Sequence, residues 1–294
     1  MLAGNATKIT ARGFGWTYAG RKQPALADID LVIEPGERVL LCGDSGSGKS
    51  TLLAAMAGVL GSDEEGTRTG EILLEDSTGM VEEPGRSIPV GLVLQDPDSQ
   101  VISARVGDDI AFGCENLAYP REEIWRRVAA AKELVGPFVP LDFPTERLSG
   151  GQKQRLALAG VIAMGAGVVL LDEPTANLDP EGARDVVRAV SALVEETGAT
   201  LVVVEHQHAA WKGVLERAVE LDHGRIVSDG PFAEVAQRRQ VAGLPQARRM
   251  GEAELAEREA ALWSTDLVTR YGPPRTVALP AGASTVITGP NGAG

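Results

Sequence analysis

Gly43-Asp44-Ser45-Gly46-Ser47-Gly48-Lys49-Ser50-Thr51 fits G-x-x-x-x-G-K-[ST], the pattern of a phosphate-binding loop. The preceding run, Glu37-Arg38-Val39-Leu40-Leu41-Cys42, reads as a buried strand. The following run, Thr51 to Leu60, is rich in Ala and Leu and reads as a helix. The opening N–H groups of a helix have no partner within it, and the helix dipole adds partial positive charge there. Glycines let the backbone close around phosphate oxygens without a Cβ in the way. Lys49 then reaches the β- and γ-phosphates, and the Ser50 hydroxyl faces Mg²⁺. The alternative, a Gly/Ser turn that binds nothing, does not require a strand before it and a helix after it.

Other apolar runs follow the same plan. Lys8 to Tyr18 and Ile29–Ile33 read as strands, the second closed by a turn at Glu34-Pro35-Gly36-Glu37. Gly61 to Gly70 is acidic and glycine-rich and reads as a loop, as does Asp76 to Ser87; Glu71–Leu74 between them is a strand. Val90–Leu94 is a short apolar strand. Residues 104–135 read as helix broken at Tyr119-Pro120, Gly136 to Pro144 as a connector, and Leu148 to Met164 as a helix. Val168–Leu171 and Leu201–Val204 are fully apolar strands, with a helix from Pro180 to Thr197 between them. Short strands at 219–221 and 225–227 and a helix near Phe232 finish the unit. Apolar strands alternating with helices predict an α/β fold, a mostly parallel sheet covered on both faces. In such sheets ligands bind beyond the strand C-termini.

The chemically capable residues fall there. Asp172 ends an apolar strand, placed to hold Mg²⁺, and Glu173 follows it as general base or water-positioner. Gln95 ends another strand, where its amide oxygen can ligate Mg²⁺. His206 ends a third and can hold the γ-phosphate or the attacking water. His208 and His223 read as surface residues. Ser149-Gly150-Gly151-Gln152 opens a helix and serves either as an ordinary N-cap or as a second anion site.

Composition sets the class. The chain has 294 residues, 44% of them hydrophobic, and a net charge of −13. That charge argues against non-specific nucleic-acid binding. No apolar run reaches the ~18 residues that span a bilayer, and the N-terminus carries no secretory pattern. Cys42 and Cys114 lack metal-type spacing and read as reduced packing residues.

Residues 236–262 are rich in Arg, Glu, Ala and Gln and read as a linker, with Arg248 to Leu262 as one charged helix. From Trp263 the chain retraces its own start. Val268-Thr269-Arg270-Tyr271 mirrors Gly15-Trp16-Thr17-Tyr18, and Pro280-Ala281-Gly282-Ala283 mirrors Glu34-Pro35-Gly36-Glu37. Val286 to Gly294 mirrors the strand and loop up to Gly48. The expectation is a second module truncated before its lysine; a tail similar by chance is the alternative.

With these residues placed, 1–235 resembles the nucleotide-binding domain of an ABC-type ATPase throughout. The matching residues are the phosphate loop, Gln95, the signature Leu148-Ser149-Gly150-Gly151-Gln152, Leu170-Leu171-Asp172-Glu173-Pro174, Ala176-Asn177-Leu178-Asp179 and His206. The resemblance implies a P-loop fold with an antiparallel β subdomain and a helical subdomain at about 96–165. It implies ATP and Mg²⁺ as ligands, with Tyr18 stacked on adenine. Lys49 and Ser50 bind phosphate and Mg²⁺, Asp172 and Gln95 complete the Mg²⁺ shell, Glu173 is the base and His206 the switch. Ser149, Gly151 and Gln152 contact nucleotide held by an opposite domain, and Asp179 lies between the domains.

The run Gln95-Asp96-Pro97-Asp98-Ser99-Gln100, followed by Val106-Gly107-Asp108-Asp109-Ile110-Ala111-Phe112-Gly113-Cys114-Glu115-Asn116-Leu117, is similar to energy-coupling factor ATPases, including their tandem forms. The departures are Asp96, where Asn is commoner, and Glu205 before the switch. The implied partners are a transmembrane coupling subunit moved through residues 104–135, a substrate-capture membrane subunit, and a second ATPase module, self or paralogue. The implied place is the cytoplasmic face of the cell membrane, and the implied cargo a vitamin or transition-metal ion. The competing expectations are a soluble tandem ATPase acting on ribosomes or DNA, or an inactive fragment.

Overall fold

β1 (Lys8–Tyr18) and β2 (Leu26–Ile33) form an antiparallel hairpin. β3 (Arg38–Cys42) then leads into the phosphate loop and α1 (Lys49–Ala57). The computed structural model describes residues 6–61, 65–136, 139–176, 178–206, 208–242, 260–267 and 275–281. The chain continues through β4 (Gly66–Glu75), β5 (Val81–Glu82), β6 (Val90–Val93), α2 (Val106–Asn116), α3 (Arg121–Leu134) and α4 (Gly150–Met164). It then forms β7 (Val168–Asp172), α5 (Pro180–Thr197), β8 (Thr200–Val204), β9 (Arg217–Asp222), β10 (Arg225–Pro231) and α6 (Phe232–Ala242). β11 (Ala260–Leu267) and β12 (Arg275–Pro280) make a separate hairpin.

The central sheet runs β10-β9-β3-β8-β7-β6. Its β9, β3, β8, β7 and β6 are parallel, and β10 is antiparallel at the edge. Successive side chains of a strand face opposite ways. Val39 and Leu41 of β3 therefore join one core with Leu52, Leu53 and Met56 of α1, while Leu40 and Cys42 join the other. All five residues of β8 are buried, which is why its sequence reads as a continuous apolar run. A four-stranded antiparallel sheet, β2-β1-β4-β5, closes the α1 side. α2, α3, α4 and α5 pack on the opposite side.

Local chemistry accounts for the element ends. Asp179 caps α5 by accepting the Gly182 N–H at 2.7 Å, Pro180 follows at the first helical position, and Gly198 ends the helix in the left-handed region. Three expectations shift. The loop helix begins at Lys49 and ends at Ala57, where left-handed Gly58 stops it, so it neither starts at Thr51 nor reaches Leu60. Residues 66–70 are strand rather than loop, because Thr67, Arg68 and Thr69 pair with β1 despite their polar side chains. α6 extends to Ala242 and β11 begins at Ala260, so both ends of the expected 236–262 linker are ordered. The rest of the expected helix, Arg248 onward to residue 259, lies outside the described residues, and its last three residues are strand.

The second hairpin repeats four pairs of the first in register. β1 and β2 pair as Ile9↔Ile33, Thr10↔Val32, Ala11↔Leu31 and Phe14↔Ile29, with a bulge before Phe14. With Tyr271 set on Tyr18 and Pro280 on Glu34, these pairs become Leu262↔Leu279, Trp263↔Ala278, Ser264↔Val277 and Leu267↔Arg275. Those are four of the five pairs of β11 and β12, with one irregularity in the same place; the fifth, Ala260↔Pro280, lies beyond a second irregularity. The burial differs: Ile9 is fully buried, whereas Leu262 is 63% and Trp263 68% exposed. The mirrored residues 268–271 and 282–294 lie outside the described residues.

Candidate nucleotide site

Gly43, Asp172, Gln95 and His206 lie at or just beyond the C-terminal ends of β3, β7, β6 and β8, on one edge of the sheet. A cleft of about 800 Å³ opens there, lined by Tyr18, Ser45, Gly46 and Gly48 through Thr51, with Glu173 at its wall. Gly48 starts α1 at φ 105, without a side-chain cap. A Cβ on Gly48 would lie 2.7 Å from the Ala25 carbonyl and 2.8 Å from Leu26 Cδ2, so only glycine fits. Lys49 is buried, its Nζ donating to the carbonyls of Gly43 and Asp44, both at 2.9 Å, which fixes the curl of the loop. Tyr18 stands at the rim, 40% exposed, its hydroxyl 3.2 Å from Thr51 Oγ1. Its ring is edge-on to Trp16.

Three side chains meet at Glu173. Gln95 Nε2 donates to Glu173 Oε2 at 2.9 Å, and His206 Nε2 lies 3.1 Å from Glu173 Oε1. The Glu173 backbone has φ 48, a costly conformation for a side chain with a Cβ and one that clusters at active sites. Asp172 ends β7 beside the phosphate loop. Burial pushes its carboxyl above the usual aspartate value, neighbouring Glu173 adds to that, and Ser50, Lys49 and His206 pull the other way. The Ser50 hydroxyl, the Asp172 carboxylate and the Gln95 amide oxygen are the hard oxygen donors that suit Mg²⁺. Among the described residues no cluster of three His, Cys, Asp or Glu side chains forms a metal site, and this mixed set is not of that type.

Not every expected residue meets the cleft. Asp44, Gln95, Asp172 and His206 are not among its lining residues; Gly43 and His206 line a second cavity, between Glu205 and α6, and Ser47 is buried beneath the loop with its Oγ unpartnered. Ser149, Gly150, Gly151 and Gln152 form the start of α4 and are not among the cleft's lining residues. Ser149 Oγ accepts the Gln152 N–H at 3.3 Å, and Gln152 Oε1 accepts the Ser149 N–H at 2.9 Å. The side chain of Gln152 is thus turned back onto its own helix as a capping box.

Sequence reading missed Arg21 and Lys22, which line the cleft from the turn after β1. It also gave Glu205 no role. Glu205 is buried and accepts both the Thr175 hydroxyl and, at 2.8 Å, the His206 N–H. It ties the end of β8 to the segment after β7. His208 opens a short 3₁₀ turn, its Nε2 donating to the Glu205 carbonyl at 3.1 Å, and His223 is fully exposed in its turn. Cys42 and Cys114 are buried and form no disulfide, the Cys42 Sγ donates to the Val219 carbonyl at 3.6 Å, and burial pushes the Cys114 thiol up. Among the described residues no helix is long and apolar enough to cross a membrane.

Comparison with known proteins gives the family. The family model described as ABC transporter matches residues 26–176, more than half of the chain. An ABC transporter ATP-binding protein of Methanosarcina acetivorans is 39% identical over 226 residues, 76% of this chain. The match spans only 35% of that relative's length. The energy-coupling factor transporter ATP-binding protein EcfA1 of Caldanaerobacter subterraneus subsp. tengcongensis is 38% identical over 230 residues, 77% of this chain and 82% of that one. The structure of cbiO1 from Clostridium perfringens, part of the ABC transporter complex cbiONQ, superposes with a TM-score of 0.67 at 32% identity. It covers 81% of this chain and 93% of that one. With this match and the P-loop fold, the chain belongs to the ABC transporter family, among its ATP-binding proteins.

Proposed function

We propose that the chain is the ATP-binding and ATP-hydrolysing part of an energy-coupling factor importer, working at the cytoplasmic face of the membrane for uptake of a vitamin or a transition-metal ion. The observation that carries this is the contact of Gln95 and His206 with Glu173, which lines the phosphate-loop cleft. The likeness to EcfA1 and cbiO1 supports the importer class and a coupling subunit and substrate-capture subunit as partners.

The residues divide the work. Tyr18 stacks on adenine, and the loop from Gly43 to Thr51 with Lys49 holds the phosphates. Ser50, Asp172 and the Gln95 oxygen would hold Mg²⁺, which would supply neutralisation of the charge on the β- and γ-phosphates. Glu173 takes a proton from the water that attacks the γ-phosphorus, and the bond to the β–γ bridging oxygen breaks, giving ADP and phosphate. His206 and Gln95 aim that carboxylate. Residues 263–294 are the opening of a second nucleotide-binding module, joined to the module at 1–235 by residues 236–262. The shared register of the two hairpins and the length of the Methanosarcina relative support this. Ser149, Gly150, Gly151 and Gln152 of one module then face the γ-phosphate on the other, self or paralogue.

Glu173→Gln tests the assignment. It keeps the shape and removes the base, so hydrolysis should fall about 10²–10⁴-fold with ATP affinity within twofold or so of the parent. A parent chain without hydrolysis, or a variant as fast as the parent, ends this reading.

A further inference from the structure

The motif Gln95–Gln100 is a mount for its own first residue. β6 ends at Val93, which is the last residue paired with β7. The peptide groups of Leu94 therefore lie outside the ladder, and two side-chain amides take them. The Leu94 N–H donates to Gln100 Oε1 at 2.8 Å. The Leu94 carbonyl accepts from Gln154 Nε2 at 3.4 Å. An N–H bonds only an acceptor and a carbonyl only a donor, so these partners fix which way each amide points. The unused atoms, Gln100 Nε2 and Gln154 Oε1, are buried and unpartnered, so each of these amides holds by one atom.

The loop between is braced from within. Asp96 caps the 3₁₀ turn at Pro97–Gln100 by accepting the Asp98 N–H at 3.0 Å, and Ser99 Oγ donates to the Asp96 carbonyl at 2.7 Å. Asp98 pairs with Lys153, which like Gln154 lies on α4 just after Gly150-Gly151-Gln152. The position of Leu94 sets where Gln95 leaves the strand, and Gln95 reaches Glu173.

We propose that Gln100 is a positioning residue for Gln95, with Gln154 of the signature helix as a weaker second anchor. The pair ties the helix that carries Ser149–Gln152 to the group that aims the base. The shorter bond makes Gln100 the principal anchor. The inference rests on the reading of Gln95 as a participant in hydrolysis.

The test uses the full chain with Gln100→Ala, Gln100→Glu, Gln95→Ala and the double variant Gln95→Ala/Gln100→Ala. The first readout is exchange of the Leu94 amide hydrogen by NMR, which needs no turnover. Loss of one hydrogen bond should speed it about 3- to 10-fold in Gln100→Ala and leave it within about twofold in Gln100→Glu, which keeps the acceptor oxygen. The second is the Mg²⁺ concentration that half-saturates hydrolysis. It should rise by a similar factor, about 3- to 10-fold, in Gln100→Ala and recover in Gln100→Glu, with KM for ATP at saturating Mg²⁺ unchanged. The double variant should be no worse than Gln95→Ala, because a residue acting through another adds nothing once that other is gone. Unchanged Leu94 exchange, or a double variant with multiplied losses, overturns the proposal. A Gln95→Ala variant as active as the parent ends the role of Gln95 instead, and the exchange result still judges the anchor.

Discussion

α1 begins at Gly48 in the left-handed region, with no side chain capping its first turn. α4 begins at Ser149 in extended backbone, with Ser149 and Gln152 closing a reciprocal capping box. Both starts are glycine-rich and both fit an anion site by sequence. At the first, glycine is required by the fold itself, because a Cβ at 48 meets the backbone of Ala25. At the second, a Cβ on Gly151 would come no nearer than 3.7 Å to Leu178, and one on Gly150 no nearer than 4.0 Å. The fold of this chain does not demand glycine there. Small residues on an exposed, already capped helix start fit close approach by something outside this module. The first start is open because its backbone is forced; on the proposed reading, the second keeps its glycines for the facing module.

Substituting alanine at both places breaks or sharpens this contrast. Gly48→Ala combines left-handed strain with a backbone clash and should cost about 1–3 kcal/mol or more of stability, read from the denaturation midpoint. Gly151→Ala should fold as well as the parent, gaining up to about 1 kcal/mol from helix propensity. It should still lose about tenfold or more of hydrolysis, because a methyl group now stands where the facing nucleotide must approach. An unstable Gly151→Ala, or one with parental hydrolysis, removes the distinction.

A second difference is charge. Near the start of α1 stands the Asp172 carboxylate, whose proton affinity burial raises. The folded chain then binds that proton more tightly than the unfolded one, so stability is lost as pH rises through the interval above the ordinary value of 3.8. Asp172→Asn removes the penalty. Its melting temperature should exceed the parent's at pH 7, the gap narrowing toward pH 4, in scans without nucleotide. With ATP and Mg²⁺ the parent should gain stability and the variant much less. A gap that does not change with pH separates the stability effect from this titration.

What was legible in sequence follows the range of the interactions. Lys49 and its glycines read clearly because phosphate binding needs one contiguous backbone curl. α5 read to the residue because Asp179, Pro180 and Gly198 are local signals and its apolar stripe faces one core. The polar start of β4 was missed because Thr67, Arg68 and Thr69 are held by β1, a partner far away in sequence. The left-handed backbone of Glu173, and the bond of Glu205 to Thr175, are tertiary facts without a local pattern. The return of Gln152 onto Ser149 follows a local pattern, S-x-x-Q at a helix start.

That capping box supports the mildest test of the contrast. Ser149→Ala removes the acceptor for the Gln152 N–H and should cost about 0.5–2 kcal/mol of stability. Ser149→Asp keeps an acceptor at the cap and places negative charge at the helix start, where the dipole favours it, so stability should match the parent within about 0.5 kcal/mol. The same carboxylate repels a γ-phosphate presented by a second module, so hydrolysis should fall in the aspartate variant while folding does not. If Ser149→Asp is both stable and fully active, α4 starts with an ordinary cap and the glycines beside it need another explanation. If it is stable and inactive, the two helix starts differ as their backbones suggest: one built to hold phosphate within the module, the other to meet it across an interface.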